Sequence, residues 1–401
     1  MSRKVARALA NRLRQYGQGD AEGFTLADVP HADIALHFSD PPSKIYQLQQ
    51  WLPVFESGPR PTIVVTRSVE TYDAVRELTS LPVLLVPSFE DLMALYDSAD
   101  FRCVVYVNNG WGNFQSLAYQ EAVHVHVNHG ESDKICMVSN QAKAYDRVFV
   151  SGDAAIARHR AALAWFDESH LIPIGRPQLD LDVTAPVSRH DGPTITYAPT
   201  WEGEDDANNY TSIDLYGYAL IEAAIAQPGA RVLYKPHPRI VSSTTPAILR
   251  AHERIVQRIH HAGTPHAVVA DADMLGVIRA TDLLIADVSS VTLDHLYLRP
   301  EAPILLCDRR SDRARLIQDS PVADALTIVD ATTVSDAQAT IASLLTADDM
   351  RSARERMRTF YFGDRGPGES TRTFWDQIDR AIADHDAAVR TLQRTRVTGE
   401  V

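Results

Sequence analysis

The sequence has few cysteines and no long apolar run. Its three cysteines, Cys103, Cys136 and Cys307, are far apart and lie among apolar neighbours. None of them has the CxxC spacing of a redox or zinc site, so we expect buried thiols in a reducing compartment. No apolar run approaches the roughly 20 residues that a membrane span needs, and the N-terminus lacks the apolar core of a signal peptide. These absences predict a cytoplasmic protein.

A surplus of basic residues is also missing. The chain has 39 lysines and arginines against 52 acidic residues, which gives a formal net charge of −13. Proteins that bind nucleic acid broadly usually carry a basic surplus, so we expect no nucleic-acid partner. Any anionic ligand must therefore be bound by a local set of donors.

Residues 1–20 depart from this acidic average. Residues 1–19 contain five basic side chains and no acid, and Val5, Leu9 and Leu13 form a narrow apolar stripe. This pattern leaves two interpretations open. One is a peripheral contact of residues 1–19 with the inner face of the cell membrane, and the other is a charged terminus or a small helix packed on a domain.

From about residue 33 onward, short apolar runs alternate with helical patterns, which is typical of βαβ units and a parallel sheet. The first of these patterns predicts a helix from Ser43 to Phe55. The predicted strands are 33–39, 62–66, 82–87, 102–107, one that ends at His129-Gly130, 148–152, 171–175, 195–199, 231–238, 267–271, 282–287, 303–307 and 325–330. Between the two series, residues 176–192 have little periodicity and several turn formers, which predicts a linker. We therefore expect domains at 21–180 and 193–345, C-terminal helices at 346–390, and a cleft between two α/β halves.

Four strands are followed by unusual polar residues. These residues lie at the carboxyl ends of the strands, where ligands of open α/β sheets bind. They are Asn128-His129-Gly130, Pro199-Thr200-Trp201, Lys235-Pro236-His237-Pro238 and Asp287-Val288-Ser289-Ser290. The last precedes a predicted helix, whose N-terminus offers free N–H groups and two hydroxyls to an anion. Together these segments favour a nucleotide diphosphate ligand. Each also has a structural alternative, since Pro-His-Pro can stiffen a turn, Trp201 can fill a domain interface and Ser289 can cap a helix.

The histidines of the fifth strand invite a metal interpretation. His124 and His126 alternate on one face, but His129 has the opposite parity and no further ligand is near in the sequence. We therefore expect no zinc and treat His124 and His126 as core or surface residues. The sequence predicts no resident cofactor and leaves a divalent cation open. It has no P-loop, no GxGxxG after the first strand and no GxSxG.

With these segments in this order, the chain resembles the CDP-glycerol glycerophosphotransferases, the teichoic-acid and capsule polymerase family with the GT-B fold. That family typically has Trp-His-Gly-Thr, Pro-Thr-Trp, Lys-Pro-His-Pro and Asp-x-Ser-Ser segments. Tyr361-Phe362-Gly363-Asp364 also resembles its C-terminal signature, and the resemblance covers roughly residues 100–380. It implies an α/β, GT-B-like fold, with two Rossmann-like parallel-sheet domains facing across a cleft and C-terminal helices crossing back.

The resemblance implies transfer of glycerol phosphate, or a related polyol phosphate, from a CDP-linked donor to a hydroxyl of a cell-surface glycan, lipid-linked precursor or teichoic-type polymer, with release of CMP. In that case His129 is the general base, a task suited to an imidazole with a pKa near 7. His237, Ser289 and Ser290 would hold the diphosphate and stabilise the leaving phosphate. The implied catalytic residues are His129 and His237, and the implied substrate-binding residues are Gly130, Thr200, Trp201, Lys235, Asp287, Ser289 and Ser290.

The sequence also departs from the family pattern. Asn128 replaces the family's Trp, Glu131-Ser132 replaces Thr-Pro, and Glu202 follows Trp201 where a basic residue is common. Two alternatives therefore stay open. One is a GT-B sugar-nucleotide glycosyltransferase or epimerase, since a fold does not determine function. The other is a catalytically idle nucleotide-binding subunit of a capsule assembly complex.

Overall fold

The computed structural model describes residues 29–134 and 137–398, with no side chain described for 393 and 395–398. Cys136 and the basic segment with its Val5-Leu9-Leu13 stripe lie outside the described residues. The chain forms two compact units. The first contains the described residues up to Gly130, Ser139–Leu181 and the chain from Arg365 onward, and the second contains Glu131–Val138 and Asp182–Asp364.

Each unit is built on one parallel sheet. The strands of the first unit are β1 (Ile34–Phe38), β2 (Thr62–Thr66), β3 (Val83–Leu85), β4 (Cys103–Tyr106), β5 (Val123–His126), β6 (Arg147–Val150) and β7 (Leu171–Pro173). Those of the second unit are β8 (Thr194–Ala198), β9 (Arg231–Tyr234), β10 (Ala267–Val268), β11 (Leu283–Asp287), β12 (Ile304–Cys307) and β13 (Thr327–Val329). The central strands β1 and β11 are buried at every position, because helices cover both faces of such a sheet.

The helices lie between successive strands, except for the last three, which follow β13. In chain order they are α1 (Ile45–Gln49), α2 (Leu52–Glu56), α3 (Val69–Arg76), α4 (Phe89–Ala99), α5 (Asn113–Ser116), α6 (Asp153–Ala162), α7 (Tyr218–Ile225), α8 (Pro238–Val241), α9 (Pro246–Ala262), α10 (Met274–Arg279), α11 (Ser290–Leu298), α12 (Arg313–Asp319), α13 (Ala337–Thr346), α14 (Arg351–Phe362) and α15 (Glu369–Thr398). A π-helical turn at Ile213–Gly217 precedes α7, and short 3₁₀ turns lie at Pro42–Lys44, Asn140–Ala144, Glu168–His170, Pro177–Asp180, Asp206–Asn208, Pro321–Ala325 and Val334–Asp336.

Both sheets have the strand order of a doubly wound fold. The first runs β3-β2-β1-β4-β5-β6-β7 and the second β10-β9-β8-β11-β12-β13. In the first sheet the strand order reverses between β1 and β4. In the second sheet it reverses between β8 and β11. Ligands of such folds bind outside the carboxyl ends of the strands at this switch point. The predicted α/β class with two parallel sheets is confirmed.

The C-terminal helix α15 returns to the first unit, as the GT-B expectation requires. Phe374, Trp375 and Ile378 on this helix join the core beneath the first sheet, where Phe374 lies 5.3 Å from Trp51, measured between ring centroids. In the described part of the chain, no helix combines the length and the apolar character needed to cross a bilayer.

Several local predictions are wrong. The strand expected at 231–238 ends at Tyr234, because Pro236 has no N–H for the ladder and Pro238 begins α8. The helix expected from Ser43 to Phe55 is divided at Gln50 and Trp51, because Pro53 lies in the first turn of α2 and has no N–H to continue the ladder. The strand expected to end at His129-Gly130 ends at His126 instead. Asn128 has a φ of 54°, which lies outside the extended region and ends the pairing.

Candidate functional site

The switch point of the second sheet is organised by Asp287, the last residue of β11. This side chain is fully buried, and its Oδ2 accepts from the Thr200 N–H at 2.8 Å while Oδ1 accepts from the Ser212 N–H at 3.1 Å. Burial raises the pKa of Asp287 to about 7 against the opposing effect of these hydrogen bonds. Asp287 thus joins the loops that follow β8 and β11, and it lies beneath the surface of the site.

Ser289 occupies the N-cap position of α11 without capping it. Its backbone is extended, with φ −161° and ψ 172°, and its hydroxyl accepts no hydrogen bond from the helix. Only 8% of the residue is exposed, and Oγ has no hydrogen-bond partner among the described residues. The alternative in which Ser289 only caps the helix is therefore wrong. Since buried hydroxyls are normally paired, this one marks a place where a ligand can supply the partner.

The free N–H groups of α11 lie beside Ser289, and Ser290 is the first residue of the helix. The helix is anchored below by Thr292, whose Oγ1 donates to the Asp287 carbonyl at 2.7 Å. The N-terminal turn of a nine-residue helix attracts anions through its N–H groups and its dipole. This turn can bind a phosphate.

His237 is held as a neutral hydrogen-bond donor. Its Nδ1 accepts from the Arg239 N–H at 3.1 Å, so the proton of the neutral ring is on Nε2. Burial, together with the positive charges of Lys134, Arg239 and Lys235, lowers the pKa of His237 to about 3. At neutral pH the ring can donate through Nε2 to a phosphate oxygen.

Trp201 and Thr200 follow β8 and are oriented by cationic side chains. The Arg239 guanidinium lies 3.5 Å from the centroid of the Trp201 ring, and the His237 ring is 6.3 Å away, centroid to centroid. The Lys134 ammonium donates to Thr200 Oγ1 at 2.9 Å. The sequence analysis missed both Lys134 and Arg239. Arg239 could have been found from its position two residues after His237.

Lys235 differs from the other predicted binding residues. Its ammonium donates to the Ala270 carbonyl at 2.5 Å, and burial lowers its pKa. The side chain is thus engaged with the loop after β10. Its assignment to the diphosphate stays a prediction.

A pocket of about 430 Å³ open to solvent adjoins the α11 loop through Val288. Tyr210 lines it, and the Arg310 guanidinium lies 4.7 Å from the centroid of that ring, with the Lys134 ammonium at 5.7 Å. No sequence motif indicated Tyr210 or Arg310, because these residues converge only through the fold.

In the first unit, His129 is presented by a left-handed turn after β5. Asn128 adopts a φ of 54°, which Asn tolerates better than most residues, and its Oδ1 accepts from the His129 N–H at 2.8 Å. The Trp51 indole donates to the Asn128 carbonyl at 2.5 Å. Asn128, a departure from the family pattern, therefore sets the orientation of His129. Gly130 follows as the last residue of this unit before the chain continues in the other.

The His129 ring is neutral at physiological pH. Burial lowers its pKa to about 4, Arg176 and Lys44 add to the shift, and a hydrogen bond to the Val107 carbonyl opposes it. The Tyr46 ring contacts it edge-on, with centroids 6.1 Å apart. The expectation of a pKa near 7 is therefore wrong for the free protein. If the ring N–H serves Val107, the other nitrogen keeps its lone pair for a proton.

The segment after Gly130 is anchored within the second unit. Asp133 Oδ2 accepts from Ser320 Oγ at 2.8 Å and from the Tyr361 hydroxyl at 2.5 Å, and burial raises its pKa to about 6. Tyr361 belongs to the C-terminal signature, which therefore has a structural role here. The unusual Glu131 is 4% exposed, so its carboxylate lies inside the protein.

His124 and His126 are core residues. Tyr106 hydrogen-bonds His124 Nδ1 at 2.8 Å, and His126 stacks on Tyr145 with centroids 4.9 Å apart. Within residues 29–134 and 137–398, no group of three or more His, Cys, Asp or Glu is arranged to hold a metal.

Two parallel-sheet units of this strand order define an α/β fold of the GT-B class. The sequence model of the CDP-Glycerol:Poly(glycerophosphate) glycerophosphotransferase family matches residues 99–308, and the chain belongs to this family. No curated protein matches the chain significantly.

Solved structures share the fold at low identity. A variant of the Wall Teichoic Acid Polymerase TagF is 13% identical, with a TM-score of 0.56 over 95% of this chain and 96% of that one. Another TagF structure is 16% identical, with a TM-score of 0.55 over 95% of both chains. Anabaena Alr3699/HepE in complex with UDP and glucose is 12% identical, with a TM-score of 0.50 over 88% of this chain and 100% of that one.

Proposed function

We propose that this protein transfers glycerol phosphate, or a related polyol phosphate, from a CDP-linked donor to an acceptor hydroxyl of a cell-surface glycan or a teichoic-type polymer and releases CMP. The observation that carries the proposal is the buried, unpartnered hydroxyl of Ser289 at the N-terminus of α11. Family membership supports the choice of donor. A TagF structure soaked with CDPG adds support for a donor of this kind.

On the donor side, the diphosphate would lie against the first turn of α11. Ser289 Oγ and the N–H groups at Ser290 would donate to it, and His237 would donate through Nε2. These donors are fixed before the ligand arrives, so they can stabilise charge on the leaving phosphate without reorganisation. Thr200, Trp201 and Lys235 would complete this side, with Asp287 as a positioning residue below it.

On the acceptor side, His129 would act as general base. The acceptor oxygen attacks the β-phosphorus, and the bond from that phosphorus to the bridging oxygen breaks. The electron pair of that bond leaves with CMP, and the proton of the acceptor hydroxyl passes to His129. The products are the polyol phosphodiester of the acceptor and CMP, so atoms and charge balance. Gly130 would permit close approach of the acceptor to the backbone.

The test measures CMP release from CDP-glycerol and donor affinity for two serine variants. Ser289→Ala should weaken CDP-glycerol binding about tenfold or more with little loss of stability, since its hydroxyl has no partner to lose. Ser88→Ala is the matched control, because Ser88 caps α4 by accepting from Asp91 N–H. It should cost about 1 kcal/mol of stability and leave donor binding unchanged.

The same assay separates the alternatives. Preferential stabilisation by a UDP- or GDP-linked sugar, with no response to CDP-glycerol, would favour the glycosyltransferase or epimerase interpretation. Donor binding without CMP release in the presence of a broad acceptor panel would favour an idle nucleotide-binding subunit. Peripheral attachment through residues 1–19 remains part of the proposal, and deletion of this segment should reduce binding to anionic liposomes.

A further inference from the structure

The first unit exposes an aromatic pair that the proposed reaction does not use. Trp111 is 84% exposed and Phe114 is 38% exposed, and their ring centroids are 5.8 Å apart with a 47° angle between planes. An exposed indole does not gain the hydrophobic free energy that its burial would provide. Paired aromatic rings exposed in this way mark ligand or partner surfaces.

This pair lies at the switch point of the first sheet. Trp111 follows β4, and β4 pairs with β1, the strand at which the order reverses. Asn108 Nδ2 donates to Asp40 Oδ2 at 2.8 Å and so joins the loops after β4 and β1. Asp287 joins β8 and β11 in the same way in the second unit. The aromatic pair therefore occupies the place where a doubly wound sheet binds its ligand.

The turn that carries Trp111 packs directly on the end of β1. A Cβ atom at Gly110 would lie 2.5 Å from Asp40 Oδ2, and one at Gly112 would lie 2.3 Å from Ser39 Oγ. A larger residue at Gly112 would collide with the Ser39 side chain, and one at Gly110 would displace the Asp40 carboxylate, so the turn packs closely against the end of β1. An exposed side chain on a fixed backbone is preorganised for binding.

Two hydrogen bonds and a ring contact connect this turn to His129, the proposed general base. Asn108 Nδ2 also donates to Gln47 Oε1 at 2.8 Å, Gln47 Nε2 donates to the Tyr46 hydroxyl at 3.3 Å, and the Tyr46 ring contacts His129. The aromatic pair and His129 thus belong to one network within the first unit.

We propose that Trp111 and Phe114 stack on the pyranose ring of a terminal sugar of the acceptor, which makes the acceptor a glycan rather than a polyol phosphate chain. This inference rests on the proposed function. A pyranose presents a flat face of C–H groups to an aromatic ring, whereas a flexible polyol phosphate has no such face. Asp40 and Lys44, which form an ion pair at 3.2 Å and remain partly exposed, offer an acceptor and a donor to sugar hydroxyls.

A bilayer is the competing occupant of exposed tryptophans. Trp165 is 99% exposed, but it lies between α6 and β7, at the amino edge of the same sheet. Trp111 lies at the carboxyl edge. The two tryptophans therefore lie at opposite ends of the strands and do not form one surface, and the vesicle measurement below tests the bilayer directly.

The experiment titrates the full chain with methyl β-glucopyranoside, methyl N-acetyl-β-glucosaminide and a glycerol phosphate oligomer, with binding followed by saturation-transfer NMR. Wild-type protein should bind at least one pyranoside and not the oligomer. Trp111→Ala should weaken pyranoside binding about tenfold, and Phe114→Ala should weaken it less. Trp165→Ala is the matched control and should bind as wild type. CDP-glycerol affinity should be unchanged in all three variants.

Wild-type protein that binds neither pyranoside, or a Trp111→Ala variant that binds sugar as wild type does, would overturn the inference. So would a Trp111-dependent loss of binding to vesicles of phosphatidylglycerol and phosphatidylethanolamine without any sugar effect. The donor titration keeps the two proposals distinct. Trp111-dependent sugar binding in a protein that ignores CDP-glycerol would support this inference and refute the proposed donor.

Discussion

His129 illustrates how burial alters a residue whose identity was clear from the sequence. Its ring is kept neutral by burial and by neighbouring positive charge, which lowers its pKa to about 4. A base of low pKa is always available at neutral pH but accepts protons weakly. An anionic donor near the ring would raise this pKa, because negative charge stabilises the imidazolium.

Because a bound anionic donor should raise the pKa of His129, we expect kcat/KM and kcat to fall at different pH values on the acid side of the pH–rate profile. The limb in kcat/KM, which reports the free enzyme, should lie near pH 4, and the limb in kcat should lie at higher pH. His129→Ala should lower kcat by at least about a hundredfold and leave CDP-glycerol affinity intact. Steady-state CMP release between about pH 3 and 9 gives both limbs. Unchanged turnover in His129→Ala would remove the residue from the mechanism.

The sequence predicted the identity and order of the motif residues but not their states. The neutral, Nε2-protonated form of His237 depends on the Arg239 N–H, and the unpaired hydroxyl of Ser289 depends on the extended backbone at the N-cap. Such states follow from three-dimensional geometry. A residue type at a given spacing does not determine them.

At the scale of elements, the end of β5 determines how His129 is presented. The sequence predicted the strand but placed its end three residues too late, because nothing in the alternation of His124 and His126 indicates a left-handed residue at Asn128. The turn depends on that conformation and on the Asn128 side chain, which accepts from His129 N–H.

Substitutions at Asn128 should separate the contribution of its left-handed backbone from that of its side-chain hydrogen bond. Asn128→Gly keeps the left-handed backbone but loses the 2.8 Å hydrogen bond, so we expect near-normal stability and reduced turnover. Asn128→Val loses both and should also cost about 1–2 kcal/mol of stability. Asp100→Val is the control, since Asp100 has a φ of 55° at the end of α4. It should lower stability without lowering turnover, as measured by urea unfolding and CMP release.

For the whole molecule, buried histidines make stability depend on pH. Burial lowers the pKa of His37, His126, His237 and His295 to about 3 and that of His129 to about 4. Between about pH 6.5 and 4 the unfolded chain binds protons on these rings that the folded chain does not, so stability falls as pH falls. Asp133 and Asp287 act in the opposite sense, because their raised pKa values lead the folded state to bind protons first.

The five imidazoles outnumber the two carboxyls, so we expect the protein to lose stability from pH 6 to 4. Each imidazole whose effect is not cancelled by a carboxyl should contribute on the order of 1 kcal/mol per pH unit. Urea unfolding across this range measures it. His126→Phe should make the dependence shallower, because it removes one such group and keeps the stack on Tyr145, and both nitrogens of His126 lack partners among the described residues. A stability that rises toward pH 4 would contradict this account.

The two parallel sheets were predictable because apolar runs alternate locally with helical patterns. The passage of Glu131–Val138 into the second unit was not, because its contacts are remote in sequence. Asp133 pairs with Ser320, 187 positions away, and with Tyr361, 228 positions away. No local pattern encodes pairings of that range.

This interleaving has a practical consequence for dissecting the protein. A gene fragment for Asp182–Asp364 alone would omit the octapeptide Glu131–Val138, and with it the carboxylate of Asp133 and the ammonium of Lys134 that bonds Thr200. Because the second unit is discontinuous in sequence, no single contiguous truncation isolates it. An autonomous version requires the octapeptide to be supplied as a graft or by circular permutation.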